Sequence, residues 1–110
     1  MDTISLTIPP KTIYLKSMRL LAASLASDIG FDIEEVEDIR VVVSEAINYK
    51  MSDRNIKINF YTKENLMKVE VIGKDREIEE ENLKIKQIIL EQLADKVEVV
   101  EDKIILTKEK

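Results

Sequence analysis

The spacing of apolar residues switches between two periods along this chain, and the order of the switches restricts the fold more than any single motif. Residues 3–8 alternate between apolar and polar side chains, which is the pattern of a strand with one buried face. Apolar residues then recur at helical spacing in residues 14–29 and 33–47, which predicts two amphipathic helices. Alternation returns in residues 56–71, and a turn at residues 63–65 makes this segment a predicted hairpin.

The last third of the chain completes the pattern. Residues 85–93 return to helical spacing, and residues 97–106 alternate as a final hairpin. The predicted order of elements is therefore βααββαββ. Because helices separate pairs of strands instead of alternating with single strands, this order favours the α+β class. We predict a two-layer sandwich, with a mostly antiparallel sheet and the helices on one face, formed by residues 1–110 as a single domain.

Capping residues place the boundaries of the first two helices. Gly30 follows the first helical segment, where glycine can adopt the left-handed conformation that ends a helix. Asp32 is the predicted N-cap of the second helix, because Glu35 three positions later completes a capping box. Residues 41–43 are all valine, which predicts burial on more than one side of this helix. The predicted apolar stripe of the first helix consists of Tyr14, Met18, Leu21, Leu25 and Ile29.

Composition excludes several classes of function. The chain carries 17 basic and 22 acidic residues, a net charge of −5, which disfavours nucleic acid and anionic membranes as partners. It has no cysteine and no histidine, which excludes thiol and imidazole catalysis and Cys/His zinc sites. No apolar run approaches the ~20 residues of a membrane span, and the first residues lack a signal-peptide pattern. These features predict a cytoplasmic protein without a metal site.

Residues 42–46, Val-Val-Ser-Glu-Ala, lie in the second predicted helix and resemble the N-box helix of bacterial anti-sigma-factor serine kinases. These kinases belong to the GHKL superfamily of ATPases. The order of elements is similar too, as is the segment 90–97 that leads into the final hairpin. The resemblance covers most of the chain. It implies a GHKL-like fold, a sigma factor or an anti-anti-sigma domain as protein partner, and a homodimer.

The N-box pattern is incomplete in this chain. In the family, a Glu aligned with the attacking group is followed four residues later by an Asn that helps to ligate Mg²⁺. Glu45 matches the Glu, but Tyr49 stands four residues later and Asn48 comes one position early. A shift of one residue turns a helical side chain by roughly 100°, so Asn48 cannot take the ligand's place on an undistorted helix. Glu45 is thus a remnant candidate for a catalytic residue, and Asn48 is one for a cofactor-binding residue.

The glycine-rich motifs of the family are also missing. An Asp-x-Gly-x-Gly turn is expected after the strand that ends near residue 72, where Asp would bind adenine. If Asp75 takes that role, Glu77 and Glu79 occupy the glycine positions. If Gly73 is aligned with the motif instead, the Asp itself is missing. The whole chain has two glycines, and carboxylates repel a triphosphate. Asp75 is therefore a remnant candidate only, and no cofactor is expected.

These departures favour a regulatory protein-binding module that resembles an anti-sigma factor but has neither nucleotide binding nor kinase activity. One alternative is an active ATP-dependent serine/threonine kinase with a shortened site, for which Mg-ATP would be the cofactor. Another is a structural or oligomer-forming domain. Candidate partner-binding residues lie on the first helix and in the acidic segment, and they are Lys16, Arg19, Glu77, Glu79, Glu80 and Glu81.

Overall fold

A computed structural model describes residues 1–74, 88, 90–100 and 102–110. Two helices and five strands lie within these residues. The helices are α1 (Ile13–Asp28) and α2 (Ile33–Tyr49). The strands are β1 (Asp2–Ile8), β2 (Ile56–Lys63), β3 (Leu66–Ile72), β4 (Lys96–Val100) and β5 (Lys103–Glu109).

The strands form one sheet in the order β1-β2-β3-β5-β4, and all neighbours are antiparallel. The predicted α+β class is confirmed, as are both hairpins, since β2 pairs with β3 and β4 pairs with β5. Residues 88 and 90–93 are helical, in agreement with the third predicted helix. The predicted start of that helix at Ile85 lies outside the described residues.

The core lies between the helices and one face of the sheet. Strand register aligns Ile8 with Ile56 and Ile4 with Phe60, so alternation directs their side chains to the same face. Ile56 and Phe60 are fully buried there, as is Ile47 from α2. Complete burial of such a side chain stabilises the fold by about 1.5–3 kcal/mol. The helical layer is therefore fixed to this face of the sheet by apolar contacts.

The start of α2 follows local rules. The Asp32 carboxylate accepts a hydrogen bond of 2.8 Å from the Glu35 N–H, and the Glu35 carboxylate accepts one of 3.1 Å from the Asp32 N–H. The predicted capping box is confirmed. Gly30 has φ = +105°, and a Cβ at this position would lie 2.7 Å from Asn65 Oδ1. Glycine is therefore needed here both for backbone conformation and for space.

Two details of helical burial differ from the sequence predictions. Tyr14, predicted in the stripe of α1, is 36% exposed, while its neighbour Leu15 is buried. The prediction was wrong because it gave weight to large side chains, whereas Ala22 and Ala26 are the fully buried residues of α1. The buried stripe consists of Leu15, Met18, Ala22 and Ala26.

The valine run of α2 is buried only in part. Val42 and Val43 are buried, but Val41 is 41% exposed. Three consecutive residues span roughly 200° of a helix, so one of them points away from the sheet. Among the described residues, no helix is both long enough and apolar enough to span a bilayer.

Candidate functional site

The outer side of the two helices contains an open cavity of about 180 Å³. We call it the α1–α2 cleft. A hydrogen bond between the two helices joins Arg19 Nε, which donates, to Ser44 Oγ at 2.7 Å. Ser44 is buried, so its hydroxyl is a fixed acceptor that orients the Arg19 guanidinium. The cleft is lined by Arg19, Arg40, Val41, Ser44 and Glu45.

The α1–α2 cleft combines two guanidinium groups with one carboxylate, that of Glu45, and an apolar edge. Arg19 and Arg40 supply guanidinium groups, which bind carboxylates and phosphates through paired N–H donors. Arg40 also lies 3.6 Å from the Glu37 carboxylate in an exposed ion pair, which solvent and salt weaken. The exposed Val41 adds apolar contact area. The cleft is thus suited to binding an acidic group of another molecule.

The α1–α2 cleft joins two candidates that the sequence analysis treated separately. Glu45, the remnant catalytic candidate, is half-buried in the same cleft as Arg19, a partner-binding candidate. Lys16 is exposed and lies one turn before Arg19 on α1, so it extends the positive charge along that helix. The sequence analysis missed Arg40, whose position on the outer side of α2 follows only from how the helix packs on the sheet.

The end of α2 lies beside the residue that follows β3. A Cβ placed on Gly73 would lie 3.6 Å from Lys50 Cβ, which is an ordinary van der Waals distance. The end of the N-box helix and the end of β3 are therefore neighbours in space. Asn48 and Tyr49 are half-buried, and Lys50 is fully buried, with its Nζ 5.7 Å from the centre of the Tyr49 ring. The sequence analysis missed Lys50, because a lysine just after a helix usually lies at the surface.

The end of α2 departs from the metal-binding pattern that the resemblance implies. The position for the metal-binding amide holds the Tyr49 phenol, and the buried Lys50 side chain lies next to it. Within the described residues, no three acidic side chains come together as a metal site. Five further candidates lie outside the described residues, so their roles stay predictions; they are Asp75, Glu77, Glu79, Glu80 and Glu81.

A second polar cluster, which the sequence analysis missed, surrounds Glu70 on the other face of the sheet. Glu70 is 8% exposed and accepts hydrogen bonds from Tyr61, Asn59 and Lys103. The Tyr61 hydroxyl, with help from Lys103, holds the pKa of Glu70 below its ordinary value, while the same bond raises the pKa of Tyr61. The signal for this cluster in the sequence is a carboxylate that lies between two valines in β3.

The fold has a counterpart among solved structures. The chain aligns over 98% of its length with a Mycobacterium tuberculosis structure described as the RsbU and RsbW domains of Rv1364c, at a TM-score of 0.72. The alignment covers 32% of that chain, and the sequences are 15% identical. At this identity, the match defines the class of fold: an α+β domain of the kind found in that protein.

Sequence relatives give a more specific result. A serine-protein kinase RsbW of Listeria innocua is 32% identical over 77 residues, which are 64% of this chain and 49% of the kinase. One of Bacillus thuringiensis is 31% identical over 91 residues, 77% of this chain and 57% of the kinase. The chain is thus a homologue of the RsbW anti-sigma-factor kinases, as the N-box resemblance predicted. It spans about half the length of these relatives, and no family model matches it.

Proposed function

We propose that this chain is a regulatory module that binds a protein partner in the manner of an anti-sigma factor, without binding nucleotide or transferring phosphate. The observation that carries the proposal is Tyr49, which stands four residues after Glu45, where the resemblance requires a metal-binding Asn. Phosphate binding also needs glycines that let backbone N–H groups approach closely, and one of the two glycines, Gly30, is already required after α1. Homology to the RsbW kinases supports the class of partner.

The partner surface that we propose is the α1–α2 cleft. A sigma factor or an anti-anti-sigma domain would present an acidic side chain to Arg19 and Arg40. The bond to Ser44 holds the Arg19 guanidinium in place before the partner arrives, which lowers the entropy that binding costs. Arg19 is therefore the residue whose loss we expect to weaken binding most.

Regulation would follow from occupancy. A kinase of this kind controls release of its partner by phosphorylating an antagonist protein, so the regulatory step is a covalent modification. A module without that chemistry responds to mass action, and the protein in excess displaces any other that binds the same surface. A homodimer, which the resemblance implies, is part of this proposal, and sedimentation equilibrium of the purified chain would test it.

Pairwise binding measurements would test the partner proposal. Each sigma factor and anti-anti-sigma domain of the source organism would be titrated calorimetrically into the chain, without nucleotide. We expect saturable binding to at least one of them and a Kd raised about tenfold or more by Arg19→Glu, since loss of a hydrogen-bonded interfacial charge costs about 2–5 kcal/mol. Lys11→Glu makes the same change of charge at an exposed position before α1 and should leave the Kd unchanged. Absence of any binding, or equal binding by both variants, would contradict the proposal.

A second candidate function is an ATP-dependent serine kinase with a shortened site. The observation in its favour is Glu45, which matches the N-box Glu of the kinases and is half-buried on α2. This candidate predicts transfer of the γ-phosphate of ATP to a serine of the bound antagonist, and loss of that transfer in Glu45→Ala. The regulatory module predicts no transfer by either protein.

A further inference from the structure

The two edge strands of the sheet, β1 and β4, differ in length and in charge. The shorter, β4, has five residues, and Lys96 and Glu98 form an ion pair of 3.1 Å along it. The longer, β1, has seven residues, of which residues 3–8 carry no charge. An edge strand exposes unpaired N–H and C=O groups, and short length and charged side chains are what keep other strands away from it. Of the two edges, β1 is therefore the one that can accept a further strand.

The apolar side chains of β1 are covered on one side only. Ile4 and Leu6 face the helices and lie opposite Phe60 and Ile58 of β2. Phe60 and Ile58 are fully buried, whereas Ile4 and Leu6 are half-buried, because within the described residues no strand lies beyond β1. Side chains on adjacent strands cover each other, so a further strand would remove more apolar area of Ile4 and Leu6 from water. The edge thus offers apolar contacts as well as backbone hydrogen bonds.

The sequence of β1 is complementary to itself when two copies run antiparallel. A two-fold axis at Ser5 places Ser5 opposite its own copy, and it is the one centre that pairs all seven residues of β1. Ile4 then lies opposite Leu6 of the second copy, and Thr3 lies opposite Thr7 of the second copy. Apolar side chains meet apolar ones on the helix-facing side, and hydroxyls meet hydroxyls on the other side.

This register also avoids repulsion between the copies. Asp2 is the one charged residue of β1, and it would lie opposite Ile8 of the second copy, away from its own counterpart. A register shifted by one residue would place apolar side chains opposite hydroxyls and turn one copy's apolar residues away from the helical layer. A closed dimer needs a surface that is complementary to itself about a two-fold axis, and β1 has this property. A second copy is therefore the occupant that the edge fits.

We propose that two copies of this chain associate through β1, which pairs antiparallel with β1 of the second copy about Ser5 and joins the two five-stranded sheets into one continuous sheet. The inference rests on the homodimer that is part of the proposed function, and it adds the interface and its register. The contact between the copies combines main-chain hydrogen bonds with burial of Ile4 and Leu6 from both sides of the axis. The α1–α2 cleft contributes no residue to this strand.

Charge exchange at Ser5 would test this register on the intact chain. Ser5 is exposed, so its replacement leaves the core unchanged, and across the axis its Cβ would lie about 4.5–5.5 Å from that of its copy. Ser5→Lys and Ser5→Glu each place like charges opposite each other, and we expect sedimentation equilibrium to give a dimer Kd raised about tenfold or more in each. An equimolar mixture of the two variants restores opposite charges, and it should form a dimer at least as tight as the wild type.

Two control variants complete the experiment. Ser5→Thr keeps a neutral hydroxyl at the same position, and Val100→Lys adds a charge at a 43% exposed position on β4, the other edge. Both should form a dimer with the Kd of the wild type.

The other outcomes would overturn the proposal. A wild-type protein that is monomeric at every concentration would leave the β1 edge to a strand of another protein. A dimer that Ser5→Lys does not weaken, or a mixture no tighter than the single variants, would exclude this register. A dimer weakened by Val100→Lys alone would assign the contact to β4. The Arg19→Glu titration measures binding of another protein to the α1–α2 cleft, so either proposal can fail without the other.

Discussion

The two ends of α2 are built in different ways. At its beginning, Asp32 and Glu35 cap each other's backbone, and Gly30 supplies a conformation that other residues adopt only with strain. At its end, Tyr49 stands where a metal-binding amide would be needed, and Lys50 is buried beside Gly73. The beginning serves to hold the fold, and it follows general rules for helices. The end is where the N-box resemblance implies a metal-binding amide, and this chain has Tyr49 at that position.

The largest change in stability should come from a substitution in the apolar core on which α2 packs. Ile47→Ala removes a fully buried side chain from the last turns of α2 and leaves a cavity, so it should lower the free energy of unfolding by about 2–5 kcal/mol. Val41→Ala, on the exposed side of the same helix, should change it by less than about 1 kcal/mol. Urea denaturation measures both. Similar losses in the two variants would mean that the end of α2 is not packed on the sheet as described.

Substitution of the two glycines compares the steric constraints at the two ends of α2. Gly30→Ala forces a Cβ to within 2.7 Å of Asn65 Oδ1 at a φ of +105°, and it should cost about 2 kcal/mol of stability. Gly73→Ala meets its nearest atoms at 3.6 Å or more, so it should change stability by less than about 0.5 kcal/mol. Denaturation of the two variants side by side would test the comparison. A large loss in Gly73→Ala alone would mean that the glycine after β3 is the constrained one.

The cap at the beginning of α2 should titrate. The N–H of Glu35 holds the pKa of Asp32 below its ordinary value of 3.8. The charged cap therefore contributes stability above that value and loses it as pH falls through the lower pKa of the folded state. Asp32→Asn keeps an acceptor but cannot titrate. Its melting temperature should lie slightly below that of the wild type at pH 7, and the difference should shrink as pH falls below 3.8. A difference independent of pH would contradict the role of charge in this cap.

The difference between the two ends of α2 also explains which features could be predicted from the sequence. Strand order along the chain and the Asp32 cap follow from local patterns, because a period of two and a capping box act within a few residues. The exposure of Tyr14 depends on how α1 packs, and Lys50 lies beside Gly73, the residue after β3. No local pattern in the sequence records either contact. The α1–α2 cleft combines residues 25 positions apart, Arg19 and Ser44, so their contact could not be derived from spacing.

Binding of nucleotide is the most direct test of the central claim, that α2 keeps the frame of a kinase without its site. Isothermal titration of the wild-type chain with Mg-ATP and with Mg-ADP would measure it, with Arg19→Glu as a folded control altered only in the α1–α2 cleft. We predict no saturable heat and no rise in melting temperature with either nucleotide, for either protein. A saturable isotherm, with a melting temperature that rises with nucleotide concentration as binding linkage requires, would contradict the account and return the chain to the nucleotide-binding kinases.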